Sequence, residues 1–169
     1  VAGSMVVCTP DAACAAAFAS FVVESPLASP AGAGVALYGD AAGGFEALDF
    51  FSAVPGLAGG PTDLDFHAVT IDFGATTQQF HVGRGAASVP TAAFGLLDLH
   101  GRRGRAPLAA VLAPAIALAR GGFHFNEQVT WILRLLTPIV HLTPAVEALY
   151  CRDGQIVSAG QRLTNPALA

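Results

Sequence analysis

A chain of 169 residues with a formal net charge of -4 suits a single domain, residues 1–169, long enough to bury a sizeable core. It is 53% hydrophobic and only 12% charged, yet no apolar run reaches the roughly 18 uncharged residues of a spanning helix. The acidic balance weighs against nucleic acid, the missing span against a membrane, and the apolar excess reads as surface meant for another chain.

Every basic residue is Arg, and Ala and Gly are abundant, which points to a high-GC bacterial gene. Cys8, Cys14 and Cys151 show no CxxC spacing, so neither a zinc site nor a disulfide framework is expected. The start Val1-Ala-Gly-Ser-Met5 lacks the n- and h-regions of a signal peptide. A cytoplasmic setting is therefore expected ahead of a secreted one, although a trimmed mature N-terminus would look the same.

In chain order, the apolar Met5–Cys8 leads to Thr9-Pro10, with Asp11 as the expected N-cap of a helix. Cys14, Ala17, Phe18 and Phe21 mark its buried face, and Ser25-Pro26 stops it. Ser29–Gly34 is a small-residue loop before a strand at Val35–Tyr38. It follows a helix and precedes a strand, the wrong order for phosphate binding, so close backbone approach is expected instead. Gly39–Gly44 is a turn into the strand Phe45–Phe50. With strands expected on both sides, that strand is predicted to be interior, broken by Glu46 and Asp49, and its exit is where a binding residue is expected.

Leu57–Asp65 reads as a Gly/Pro-rich loop. Val69, Ile71 and Phe73 alternate with Thr70 and Asp72, a half-buried strand, and Gln79–Val82 makes another, with Phe80 and Val82 on one face. A helix is predicted from Thr91 to His100 with Gly101 as its stop, and Arg102–Arg105 as a solvated turn. Pro107 opens the next helix, striped by Leu108, Val111, Leu112, Ala115 and Ala119. Asn126 caps a third, carrying Val129, Ile132, Leu133 and Leu136 and broken by Pro138. A short helix at Ala145–Tyr150 and a turn at Arg152–Gly154 precede a polar close.

None of the five His (His67, His81, His100, His124, His141) sits in a metal-binding spacing, so neither a metal nor a cofactor is expected. Ser52, His81 and Asp72 assemble a triad only on paper, since no GxSxG elbow supports it. Cys8 and Cys14 lie in apolar surroundings that suit packing. Arg84, between two glycines, is a candidate carboxylate clamp, against the blander reading of a surface Arg in a turn.

Several stretches resemble the large subunit of the γ-glutamyltranspeptidase family. They are Asp11–Phe18 with Val22–Glu24, the Gly32–Tyr38 loop and strand, Glu46–Phe50, Gly85–Pro90, Gly101–Leu108, Leu112–Arg120 and Gly160–Leu168. The match runs in order along nearly the whole chain. The resemblance implies an α+β, four-layer αββα sandwich of the N-terminal-nucleophile hydrolase type, completed by a second chain cut from the same precursor by autoproteolysis. It also implies that no catalytic residue lies in this chain. The nucleophile is an N-terminal Thr of the small subunit, its own α-amine serving as base.

One departure stands out. In glutamyl-processing members an Arg follows the Asp-Phe dipeptide and binds the glutamyl α-carboxylate, whereas here Phe51 follows, then Ser52. A carboxylate placed there would stay buried and unpaired. The sequence also lacks most of a helix the family places between Thr9-Pro10 and Asp11 and ends short of the family's cleavage site. The resemblance therefore implies a small-molecule, carboxylated but non-glutamyl substrate, with Phe51, Ser52, His81 and Arg84 as candidate substrate-binding residues. Hydrolytic C–C bond cleavage in antibiotic (alkylproline-type) biosynthesis leads. A γ-glutamyl amide hydrolase or transferase, or a non-catalytic structural homologue, are the alternatives.

Overall fold

The computed structural model describes residues 9–39, 43–56, 59 and 63–169. Met5–Cys8, the centre of the Gly39–Gly44 turn and part of the Leu57–Asp65 loop lie outside them. Helices and strands mix in an α+β chain that divides into two compact units. The first comprises Val1–Ser52, Pro90–Leu118 and Leu168–Ala169; the second, Ala53–Val89 and Ala119–Ala167.

The first unit is built on α1 (Pro10–Val23), strands β1 (Gly34–Gly39) and β2 (Phe45–Phe50), α2 (Ala92–Arg103) and most of α3 (Leu108–Gly121). Thr9, not Asp11, caps α1: its hydroxyl accepts the Ala12 N–H at 3.2 Å, and Pro10 takes the first turn, where its missing N–H costs nothing. Asp11 is freed for a long-range task. Its carboxylate accepts the Arg105 N–H at 3.1 Å and the Ala106 N–H at 3.2 Å, while His100 Nε2 lies 3.0 Å from the Ala106 carbonyl. This knot closes the turn between α2 and α3 onto α1. Removing the carboxylate leaves backbone donors without their acceptor, so Asp11→Ala is expected to cost about 2–3 kcal/mol, and Asp11→Asn less. Urea unfolding of the two variants checks this.

Helix α2 runs through Gly101 to Arg103, two residues past the predicted stop. Arg102 and Arg103 are therefore helical rather than solvated turn residues, and both have partners. Arg102 pairs with Asp98 one turn back at 2.9 Å and with Glu46 at 3.4 Å; Arg103 reaches Glu46 at 2.6 Å and lies over the Tyr38 ring. These partners offset the weak helix preference of glycine. Cys14, Leu99 and Val111 form one core cluster, and Phe21, Ala92 and Leu96 another. Burial of each large side chain contributes about 2 kcal/mol. In α3, Val111, Ala115 and Ala119 are buried as predicted, whereas Leu108 is exposed at the first turn.

β1 and β2 form an antiparallel pair with Leu37 opposite Ala47 and Tyr38 opposite Glu46. Among the described residues β2 hydrogen-bonds to β1 alone, so it is not the interior strand that its neighbours suggested. The hairpin is two-faced. Ala36, Leu48 and Phe50 turn toward the helices, while Val35, Leu37 and Phe45 are exposed.

In the second unit, β3 (His67–Asp72) and β4 (Thr77–Val82) form a six-residue antiparallel hairpin, burying Ile71 and half-burying Val69, Phe80 and Val82. Asn126 caps α4 (Glu127–Leu135) by accepting the Val129 N–H at 2.8 Å. Leu136 separates α4 from the short α5 (Thr137–Val140), which carries Pro138 in its first turn. Phe125, Val129, Leu133, Tyr150, Val157 and Leu163 make the unit's core, and Trp131 faces outward from α4. β5 (Phe123–His124) precedes α4, and α6 (Pro144–Tyr150) is followed by the tiny strands β6 (Cys151–Arg152), β7 (Gln155–Ile156) and β8 (Arg162–Leu163). Asp153 and Gly154 both take positive φ, the signature of a tight two-residue hairpin between β6 and β7.

Candidate functional site

The exit of β2 carries the residues that set this chain apart. Phe50 is seated by two glycines: an added methyl would lie 2.6 Å from its ring at Gly34 and 2.0 Å at Gly95 of α2. With the ring held there, the next residue points away. Phe51 is 69% exposed and follows a strand whose last carbonyl accepts the Thr91 hydroxyl at 2.5 Å. Asp49 then accepts the Phe51 N–H at 2.8 Å. Ser52 is half-buried beside it. Phe51 offers an apolar ring and no donor.

The loop before β1 serves this corner through its carbonyls. Gly32 O accepts the N–H groups of Thr91 at 3.0 Å and Ala92 at 2.9 Å, and Pro30 O accepts Ala93 N–H at 3.3 Å. A loop that presents carbonyls does not cradle phosphate, in line with its order in the chain.

At the far end of β2, Glu46 bridges to α2. The hydrogen bond and charge of Arg103, with a smaller contribution from Arg102, hold its carboxyl below the ordinary value of 4.5. Because the folded-state value is depressed, the pairing stabilises the fold above the ordinary carboxylate range and fades as pH falls through the lowered value. A Glu46→Gln variant is therefore expected to melt below the parent at neutral pH and to converge with it in acid. Melting curves across the acid range check the convergence.

His81 and Arg84 belong to the second unit. His81, on the exposed face of β4, stacks on Phe66 with ring centroids 4.6 Å apart and planes 6° from parallel. Arg84 opens a single 3-10 turn after β4 and is 70% exposed, its guanidinium 3.1 Å from Asp63. Gly83, just before it, has φ of 98° and sits so close to the Asp65 carbonyl that no side chain fits. Arg84 thus already holds a carboxylate, in an exposed pair of the weak kind.

The triad drawn from Ser52, His81 and Asp72 does not form. In the β3–β4 register His81 faces Ala68 while Asp72 faces Thr77 at the other end of the hairpin, and Asp72 accepts the Gly74 N–H at 2.7 Å. Cys14 donates weakly to the Leu96 carbonyl, and burial, then the charge of Asp11, pushes its thiol up. Burial does the same to Cys151, which suits packing rather than attack. Among the described residues no His, Cys, Asp and Glu side chains cluster in a metal-binding group, and no helix is long and apolar enough to cross a membrane.

Sequence reasoning passed over Thr91 and Gly95. Gly95 left a signal, an isolated glycine inside a helical pattern, which often marks close approach. Thr91 left none, because a Thr before a helix reads as a cap.

The sequence model of the Gamma-glutamyltranspeptidase family matches residues 9–169. Acylase ACY 1 proenzyme of Pseudomonas sp. (strain V22) is 30% identical over 157 residues, which is 90% of this chain and 28% of that protein. Glutathione hydrolase 3 of Arabidopsis thaliana is 30% identical over 88 residues, 52% of this chain and 14% of that protein. The chain thus spans less than a third of the curated relatives it matches.

Among solved structures, the Helicobacter pylori gamma-glutamyltranspeptidase superposes with a TM-score of 0.77 at 23% identity, covering 94% of this chain and 44% of that one. The Bacillus anthracis transpeptidase CapD gives 0.71 at 22%, over 94% and 46% of the two chains. LmbA2991 gives 0.71 at 26%, over 94% and 26%. These likenesses carry the N-terminal-nucleophile hydrolase fold. With the family pattern spanning nearly all of it, the chain belongs to the gamma-glutamyltranspeptidase family.

Proposed function

We propose that this chain is the large-subunit portion of an N-terminal-nucleophile hydrolase whose Thr nucleophile lies on a small subunit cut from the same precursor. Its substrate is small and carboxylated but not a γ-glutamyl amide, and its reaction is hydrolytic C–C bond cleavage in an alkylproline-type antibiotic pathway. The observation that carries this reading is Phe51, an exposed apolar ring where glutamyl enzymes of the family place an arginine. The likeness to LmbA2991 and the proenzyme named among the relatives support it.

In such a site the Thr hydroxyl adds to a ketone carbonyl while the α-amine takes its proton. Collapse of the tetrahedral adduct breaks the C–C bond, and the electron pair leaves on the stabilised carbon, which the protonated amine then protonates. Water hydrolyses the remaining ester, so the net change is one water added across one C–C bond. Phe51 packs the apolar body of the substrate. A second reading, hydrolysis of a non-glutamyl amide, is favoured by the acylase match at 30% identity. Both use the same nucleophile and differ in the bond broken.

The test is to purify the intact precursor, resolve its fragments on a gel and sequence the smaller band. An N-terminal Thr is expected. A single uncut chain would remove the enzyme reading, and ordinary turnover of a γ-glutamyl anilide would remove the non-glutamyl one.

A further inference from the structure

We propose that Thr91 is a positioning residue that sets the direction in which residue 51 leaves strand β2, acting as a hydroxyl donor rather than as a helix cap. The inference rests on the reading of Phe51 as the specificity residue. Thr91 occupies the N-cap position of α2, yet its side chain accepts no N–H from that helix. The hydroxyl is diverted to the Phe50 carbonyl at 2.5 Å. On the other side of the same peptide group, Asp49 takes the Phe51 N–H at 2.8 Å.

Carbonyl 50 and amide 51 belong to one planar unit, so two bonds at opposite poles fix the tilt of the whole plane. That tilt decides the φ of Phe51 and hence where its Cβ points. The donor is itself anchored, because Gly32 O holds both the Thr91 and Ala92 N–H groups. Asp49 clamps from within the strand, whereas Thr91 ties the plane to the helix and loop framework. Forgoing a cap to make this bond is the mark of a side chain with another role.

Two variants separate the roles of the hydroxyl. Thr91→Val keeps the shape and removes the donor, while Thr91→Ser keeps the donor. In the intact protein, amide hydrogen exchange at Phe51 and Ser52 is expected to speed up about tenfold in Thr91→Val and to stay at the parent rate in Thr91→Ser. Exchange in α1 and at the centre of α2 stays unchanged in both. In a Phe51→Arg background, Thr91→Val is expected to raise KM for a γ-glutamyl anilide severalfold at constant kcat, and Thr91→Ser is expected to restore it. An unchanged Phe51 amide in Thr91→Val, an equal effect of both variants, or loosening spread evenly through α1 and α2 would each overturn the proposal. Should Phe51→Arg gain no glutamyl activity, the reading of residue 51 falls, and the exchange rates still decide the clamp.

Discussion

Replacing Phe51 by arginine is expected to create hydrolysis of a γ-glutamyl anilide, an activity the parent protein is expected to lack. The phenylalanine ring sits exposed at the end of β2, its backbone held by Thr91 and Asp49. A longer side chain there needs no repacking of the core. A glutamyl α-carboxylate facing Phe51 sheds its water and finds no donor, whereas a guanidinium supplies two parallel hydrogen bonds. Recovering a charged hydrogen bond contributes about 3 kcal/mol at the upper end, roughly a hundredfold in kcat/KM. The gain should appear mainly in KM, since the α-carboxylate lies away from the bond that breaks. Lysine offers a point charge without the fork, so Phe51→Lys should recover less. A Phe51→Arg protein that folds and is processed like the parent but gains no glutamyl activity would refute the assignment of residue 51 as the switch.

A second large loss of stability is expected from Gly95→Ala. The added methyl would stand 2.0 Å from Phe50 Cγ and within 2.5 Å of both Cδ atoms, at the root of the ring where rotation gives no relief. Either Phe50 leaves its seat or α2 backs away from β2. Such overpacking costs about 3 kcal/mol, against which the better helix preference of alanine returns about 1 kcal/mol. For a chain of this length a net 2 kcal/mol lowers Tm by roughly 4–8 °C. Adding Phe50→Leu makes room for the methyl and should restore part of the loss. A Gly95→Ala protein melting with the parent would show that Phe50 does not rest on Gly95.

Where the fold was legible in the residues, the reason is local. The buried face of α1 at Cys14 and Phe21, the Asn126 cap and the alternation of Val69 and Ile71 each depend on neighbours within a few positions. The errors arose where distant partners decide. Alternation along β2 reveals two faces but not how many strands pair with it, and among the described residues β1 alone does. Gly101 looked like a stop because the ion pairs of Arg102 and Arg103 with Asp98 and Glu46 are invisible in a linear pattern. Asp11 looked like a cap because Asp caps well, but Pro10 fixed the helix start two residues earlier and sent Asp11 to Arg105 and Ala106.

The site followed the same division. Phe51 stood out because a single position differed from a long family pattern, a comparison that needs no geometry. The clamp on its peptide joins residues 41 positions apart and could be found only in the fold.

The outward-facing Trp131 has a practical consequence. It is the sole tryptophan of the sequence and belongs to the second compact unit, on a helix that packs its opposite side into that unit's core. Its emission therefore reports on that unit. Far-ultraviolet circular dichroism, by contrast, weighs the helices of both units. A melt followed by the two probes gives superimposable curves if the units unfold as one cooperative block and separated midpoints if they do not. The protein carries a built-in optical label for deciding whether damage at Phe50 or Gly95 stays within its own half of the chain.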